Sequence, residues 1–201
     1  MTESIGQHYL ADVVRELEKL KRMAEDAVQQ VDDQHFLLAP DRESNSIGLI
    51  VKHLAGNMRS RWRDFLTSDG EKPDRDRDRE FELELSDTRS ALMEQWNEGW
   101  SHTLAAIRAL NPDDLERTVT IRGEPHTVLG AINRQLTHYA SHVGQIVYLA
   151  KQWAGPSWKT LTIPRGRSRD YEVSKNGEAY GVKEESRDGA KPGLNPSPKS
   201  S

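Results

Sequence analysis

Between Gln7 and Trp153 apolar residues recur at spacings of three and four, and a chain patterned this way hides its apolar side by forming amphipathic helices that pack on one another. Leu10, Val13, Val14, Leu17, Leu20, Ala24, Ala27, Val28 and Val31 make the first stripe, which predicts a helix over Gln7 to Val31. Ser44 or Asn45 is placed to cap a second helix that carries Ile47, Ile50, Leu54, Met58 and Phe65 inward and runs to about Leu66. Ser86 is placed to cap a third, with Leu92, Trp96, Trp100, Thr103, Ile107 and Leu110 at helical spacing before Asn111 and Pro112 end it. Thr118 to Val128 breaks the pattern: β-branched residues flank Gly123, which predicts a small β-hairpin. The last helix starts near Thr127, carries Ile132, Leu136, Tyr139, Val143, Ile146 and Ala150, and closes at Gly155 and Pro156. None of these helices is expected to persist alone in water, so the predicted fold is all-α, a four-helix bundle with a short hairpin before its last helix.

Two segments fall outside this pattern. Pro73 to Glu80 alternates acidic and basic residues so strictly that it has no apolar face, and it reads as a solvated loop. Gly181 to Ser201 is rich in Gly, Pro, Ser, Lys and Glu and reads as disordered, which sets a bundle domain over 1–171 and a low-complexity tail over 172–201.

Charge and composition narrow the partners. A net charge of -4 lacks the basic excess of a protein that grips nucleic acid by its phosphates, so no nucleic-acid partner is expected. No apolar run is long enough to span a bilayer and the N-terminus lacks a signal-peptide pattern, which predicts a cytoplasmic protein without a membrane partner. Cysteine is absent, which excludes disulfides, thiolate metal sites and a protein-borne thiol nucleophile. Any thiol chemistry here imports its thiol.

The histidines carry the chemistry. His138 and His142 are four residues apart on the last helix, in a sector shared with Ala131, Gln135 and Leu149, while Arg134, Thr137 and Tyr148 take the outer side. His53 lies on the inward sector of the second helix, whereas His8, His35 and His126 fall at helix starts or loops and His102 stands alone on the third helix. Three inward imidazoles on two helices can converge, and buried rings need partners. Neutral imidazole is a ligand for zinc, nickel, copper or iron, and three such donors leave a coordination position open. Asn57 and Gln135, each one turn from a histidine, are candidates for contacts to the ligands or substrate and equally for satisfied interior amides. Glu43, Arg61 and Arg165 are further candidates, with Arg165 reading as a surface residue.

The segments His53-Leu54-Ala55-Gly56-Asn57-Met58 and His138-Tyr139-Ala140-Ser141-His142-Val143-Gly144-Gln145 resemble the DinB-like superfamily of four-helix metalloproteins. The segments at 69–73, 79–82 and 163–166 look like a branch of that superfamily made up of uncharacterised bacterial proteins, so the resemblance spans roughly 5–171. It implies a divalent metal, usually zinc or nickel, held by His53, His138 and His142, and a homodimer. It also implies one of two small-molecule activities, transfer of an electrophilic group onto a low-molecular-weight thiol such as bacillithiol, mycothiol or glutathione, or metal-dependent hydrolysis.

These lead to two expectations of different class. In the first, the open position takes the thiol of a small co-substrate as thiolate, and the absence of cysteine fits an imported thiol; in a hydrolytic variant it takes water. No carboxylate stands at a helical neighbour of the three histidines, which leans toward thiol transfer. In the second, the metal is structural and the protein is a non-catalytic, dimeric stress-response or binding module.

Overall fold

The computed structural model describes residues 4–167 together with the backbone of 171–173 and 180–182. Among the described residues the chain is mostly helical: α1 Ile5–Val28, α2 Asp33–Leu37, α3 Ile47–Trp62, α4 Arg89–Arg108 and α5 Val128–Ala154. The hairpin predicted ahead of the last helix is present as β1 Thr118–Ile121 paired antiparallel with β2 Glu124–Thr127. A second antiparallel pair, β3 Tyr171–Val173 and β4 Tyr180–Val182, straddles the expected start of the tail and places Gly181 and Val182, read as disordered, in a strand; the rest of the tail lies outside the described residues. The chain divides into two compact units, Met1–Lys159 and Thr160–Ser201, and the helices and the first hairpin all belong to the first. No described helix is long and apolar enough to cross a membrane.

The helix types follow the sequence, and the caps shift by one or two residues. Ser46, not Ser44 or Asn45, accepts the Leu49 amide at the start of α3, because Ser44 is tied through its amide and hydroxyl to Asp41. Thr88, not Ser86, caps α4 through the Ala91 amide, while the Ser86 carbonyl takes the Thr88 amide in a turn. α3 ends at Trp62, short of the expected Leu66, where Asp64 enters the left-handed region at φ 49°. The five-residue α2, capped by Asp32 and anchored by the fully buried Phe36, was hidden because one turn is too short to show a period.

α3 packs along α4, and α1 along α5, with further packing of α3 on α5 and of α1 on α4. At Gly99 of α4 an added Cβ would stand 3.1 Å from Met58 Cβ and 3.3 Å from Ala55 Cα, so a bare backbone lets α4 close on α3. Leu54 and Met58 of α3, Trp96 and Trp100 of α4 and Tyr139 of α5 are buried with almost no exposure.

α3 is buried over twelve of its 16 residues, and not all of them are apolar. His53, Asn57, Ser60 and Arg61 recur at helical spacing as a buried polar stripe. The segment between α3 and α4 covers that helix from one side. Ser60 Oγ donates to the Gly70 carbonyl at 3.1 Å and accepts the Lys72 amide at 2.9 Å, and Lys52 Nζ reaches the Glu82 carbonyl and Asp87 Oδ2, each at 2.7 Å. The hairpin is clasped to the same segment by Asp69, whose carboxylate accepts the amides of Arg122 at 2.9 Å and Gly123 at 2.8 Å. Both turn residues have positive φ, 57° at Arg122 and 76° at Gly123, the geometry that matches the twist of a two-residue hairpin.

The expectation of a solvated loop over Pro73 to Glu80 is therefore corrected in part. Asp74 and the run from Asp76 to Arg79 are exposed, but Glu80 is buried and the Arg75 side chain is only 4% exposed. Charge alternation predicts solvation only when the charges lack partners inside, and these two have each other.

Candidate metal centre

His53 enters the site from α3, and His138 and His142 enter from α5, where a spacing of four puts both rings on one side of the helix. The three rings offer ligand atoms that all lie within 4.8 Å of one another, a group that could hold a metal ion. The three imidazoles singled out in the sequence are thus brought together.

Hydrogen bonds assign which nitrogens are free. His53 Nδ1 is 2.9 Å from Glu80 Oε2, and because a carboxylate only accepts, the ring donates there and turns the lone pair of Nε2 inward. His142 Nδ1 stands 2.9 Å from Gln145 Oε1 and is fixed in the same sense. The Nε2 atoms of His53 and His138 are 3.3 Å apart. Two metal–nitrogen bonds of about 2.0–2.1 Å at a tetrahedral angle would separate their nitrogens by roughly 3.3–3.4 Å, so this pair fits a shared cation.

Burial, reinforced by His142 and His53, pushes the His138 imidazole down to about 3, and burial also lowers His142. Both are neutral donors at ordinary pH, as ligation requires. Ring contacts fix the cluster further: the Phe81 ring stacks on His53 at 4.6 Å and 29°.

Glu80 is the residue that sequence reasoning missed. Arg75 grips both of its oxygens, Nε to Oε1 and Nη2 to Oε2, each at 2.8 Å. Burial opposes the charge on Glu80, but the bonds from Arg75 and His53 outweigh it and hold the carboxyl below its ordinary value. A carboxylate behind a ligand histidine orients the ring and raises its basicity. Room for it comes from Gly56, where an added Cβ would lie 2.2 Å from Glu80 Oε1. A glycine one turn before Ser60 on a helix buried on most sides was the available signal.

The amide candidates separate. Asn57 is buried, lines the cleft beside the histidines, and accepts the Tyr139 hydroxyl at 3.2 Å, which in turn accepts Trp62 Nε1 at 2.9 Å. Gln135 is buried with an unpartnered Oε1 and does not line that cleft. The cleft, about 180 Å³, is lined by His53, Asn57 and Arg61 of α3, by Arg134 and His138 of α5, and by Arg75, Arg77 and Arg122 from the segments that connect the helices. Arg134 thus reaches the site although the helical sector placed it outside. Glu43 lines a separate depression with Ser141, Gly144 and Gln145.

A mostly helical protein whose third and fifth helices bring three imidazoles to one point, with a carboxylate behind one of them, belongs to the class of helical proteins with a candidate metal centre. The chain belongs to the family described as "Protein of unknown function (DUF1572)", whose pattern matches residues 4–167. Among curated proteins none matches the chain.

Proposed function

We propose that this is a divalent-metal protein of the DinB-like four-helix-bundle type, and that it conjugates a low-molecular-weight thiol to an electrophilic small molecule. The observation that carries the reading is the convergence of His53, His138 and His142 within 4.8 Å, with the Nδ1 atoms of His53 and His142 already engaged elsewhere. His53, His138 and His142 would hold a zinc or nickel ion, which would supply the Lewis acidity to lower the pKa of a thiol, ordinarily about 8.5, toward neutral pH.

The chain's own residues do the rest. Glu80 holds His53 in one tautomer, Arg75 holds Glu80, and Phe81 covers the outer face of the ring. The Glu80 carboxylate faces Nδ1 and is committed to two cationic or N–H partners, so it is badly placed to take a proton from water. That supports transfer to an imported thiol over hydrolysis, and a chain without cysteine has no thiol of its own to compete. Dimerisation belongs to the same reading and rests on the resemblance alone, and a cytoplasmic setting rests on the sequence pattern of the N-terminus and the lack of a bilayer-length apolar run.

Incubating zinc- or nickel-loaded protein with a model electrophile and each of several small thiols tests it directly. Conjugation above the uncatalysed rate, abolished in His53→Ala and His138→Ala, is the expected result. A rate that never exceeds background with any thiol would leave a binding or structural role for the site.

A further inference from the structure

The cleft next to the histidines carries more positive charge than its neighbours neutralise. Arg61, Arg75, Arg77, Arg122 and Arg134 line it, in a chain whose net charge is -4. Among the described residues, the carboxylates that pair with these guanidiniums are Glu80, which serves Arg75, and Glu71. A single oxygen of Glu71 is shared three ways, at 3.1 Å from Arg75 Nη1, 3.4 Å from Arg122 Nε and 4.0 Å from Arg61 Nη2. Arg77 and Arg134 form no ion pair among the described residues.

Arg61 is the most demanding of the five. Its side chain is 3% exposed, and Nε and Nη1 have no hydrogen-bond partner. Packing leaves it little freedom, since an added Cβ at Gly70 would lie 2.4 Å from Nη1. A buried guanidinium with unmet donors costs several kcal/mol in order of magnitude unless something supplies oxygens. Its position is built, too: Arg61 continues the α3 stripe of His53 and Asn57 at steps of four, as Arg134 continues the α5 stripe of His138 and His142. By helical rise the arginines stand roughly 6 to 12 Å along the axes from the histidines, a span that a small molecule bridges.

We propose that this cleft is an oxyanion subsite that takes the phosphate or carboxylate head of a small, multiply charged organic substrate, with Arg61 and Arg134 as its principal donors. Guanidinium forks match the paired oxygens of either head group. That the bound molecule is a substrate rests on the metal-centre reading, but the anion site does not need the metal. Asn57, between the two ends, is placed to contact the body of the bound molecule.

Calorimetric titration of the full chain with inorganic phosphate and with malonate, in chelator-treated and zinc-loaded forms, separates these dependences. Metal content is measured on the same samples. Saturable binding of either anion to metal-free protein is expected, weakened about tenfold or more in Arg134→Gln and in Arg61→Met and unchanged in Arg108→Gln. Arg134 is exposed, so its variant keeps the test valid if the buried Arg61 substitution fails to fold. A preference for phosphate or for malonate names the head group, and either supports the subsite. Absence of saturable binding to the metal-free form, or binding indifferent to Arg134→Gln, overturns it. Metal-loaded protein that ignores both anions would sink the subsite alone, and anion binding by protein that never takes up metal would sink the metal reading alone.

Discussion

His53 stands between a carboxylate and a second imidazole, and that position makes it the hinge of the site. Glu80 fixes its tautomer from one side and His138 faces it from the other. Glu80→Gln preserves the shape and one hydrogen bond while removing the charge, and metal affinity is expected to fall about 10- to 100-fold with helical content unchanged. Gly56→Ala acts in the same direction by forcing Glu80 aside, since its new methyl would sit 2.2 Å from Oε1. A competition titration with a chromophoric chelator measures both, and affinity equal to wild type in the two variants would remove Glu80 from the site. The histidines were legible in sequence because two share a helix at a spacing of four and the third falls on an inward sector. Glu80 was not, because it sits in a stretch without periodicity whose alternating charges mimic a solvated loop. Arg61 was partly legible, eight residues from His53 on the same helix, but Arg134 was not: its helical sector pointed outward, and a lone arginine in a sequence carries no sign of what it faces.

At the scale of elements, the loop between α3 and α4 and the β1–β2 hairpin act as one cover over the site, joined at Asp69. Backbone amides of Glu71, Gly123 and Arg122 hold the Asp69 carboxyl below its ordinary value of 3.8. A folded-state pKa lower than the unfolded one means that the folded chain favours the carboxylate. The contribution of this clasp is fully present above the unfolded value of 3.8 and is lost as pH falls through the lower folded value. The amide resonances of Arg122 and Gly123 should therefore titrate together with a midpoint below 3.8, and a midpoint at or above it contradicts the clasp. Helix types and the hairpin were readable because period and turn chemistry set them. Cap residues were not, because Ser44, Ser46, Ser86 and Thr88 are chemically equivalent as caps, and which of them caps is decided by the local turns around them, such as the one in which Ser44 donates to the Asp41 carboxylate.

For the molecule as a whole, stability and site share one core. Trp100 is fully buried and its ring meets Tyr139 at 5.7 Å, while Tyr139 bonds to Asn57 and Trp62. Trp100→Ala is expected to cost about 3–5 kcal/mol, read as a lower denaturant midpoint, and to loosen Asn57 at the cleft as well. Midpoints within error of wild type would show that α4 contributes little to the packing of α3 and α5. The apolar pattern announced most of this core, apart from Phe36 on the short α2 and Trp62 at the end of α3, and it placed the histidines inward, whereas the extension of their stripes to Arg61 and Arg134 emerged only once α3 and α5 were set side by side. The proposed site has three imidazoles sharing one ion. Elemental analysis of untagged protein, reconstituted with zinc or nickel and freed of excess, tests it against His53→Ala, His138→Ala and His142→Ala. About one ion per chain in the wild type and a loss in every variant is the predicted result. Wild-type protein that retains no ion, or variants that retain it undiminished, would contradict the account.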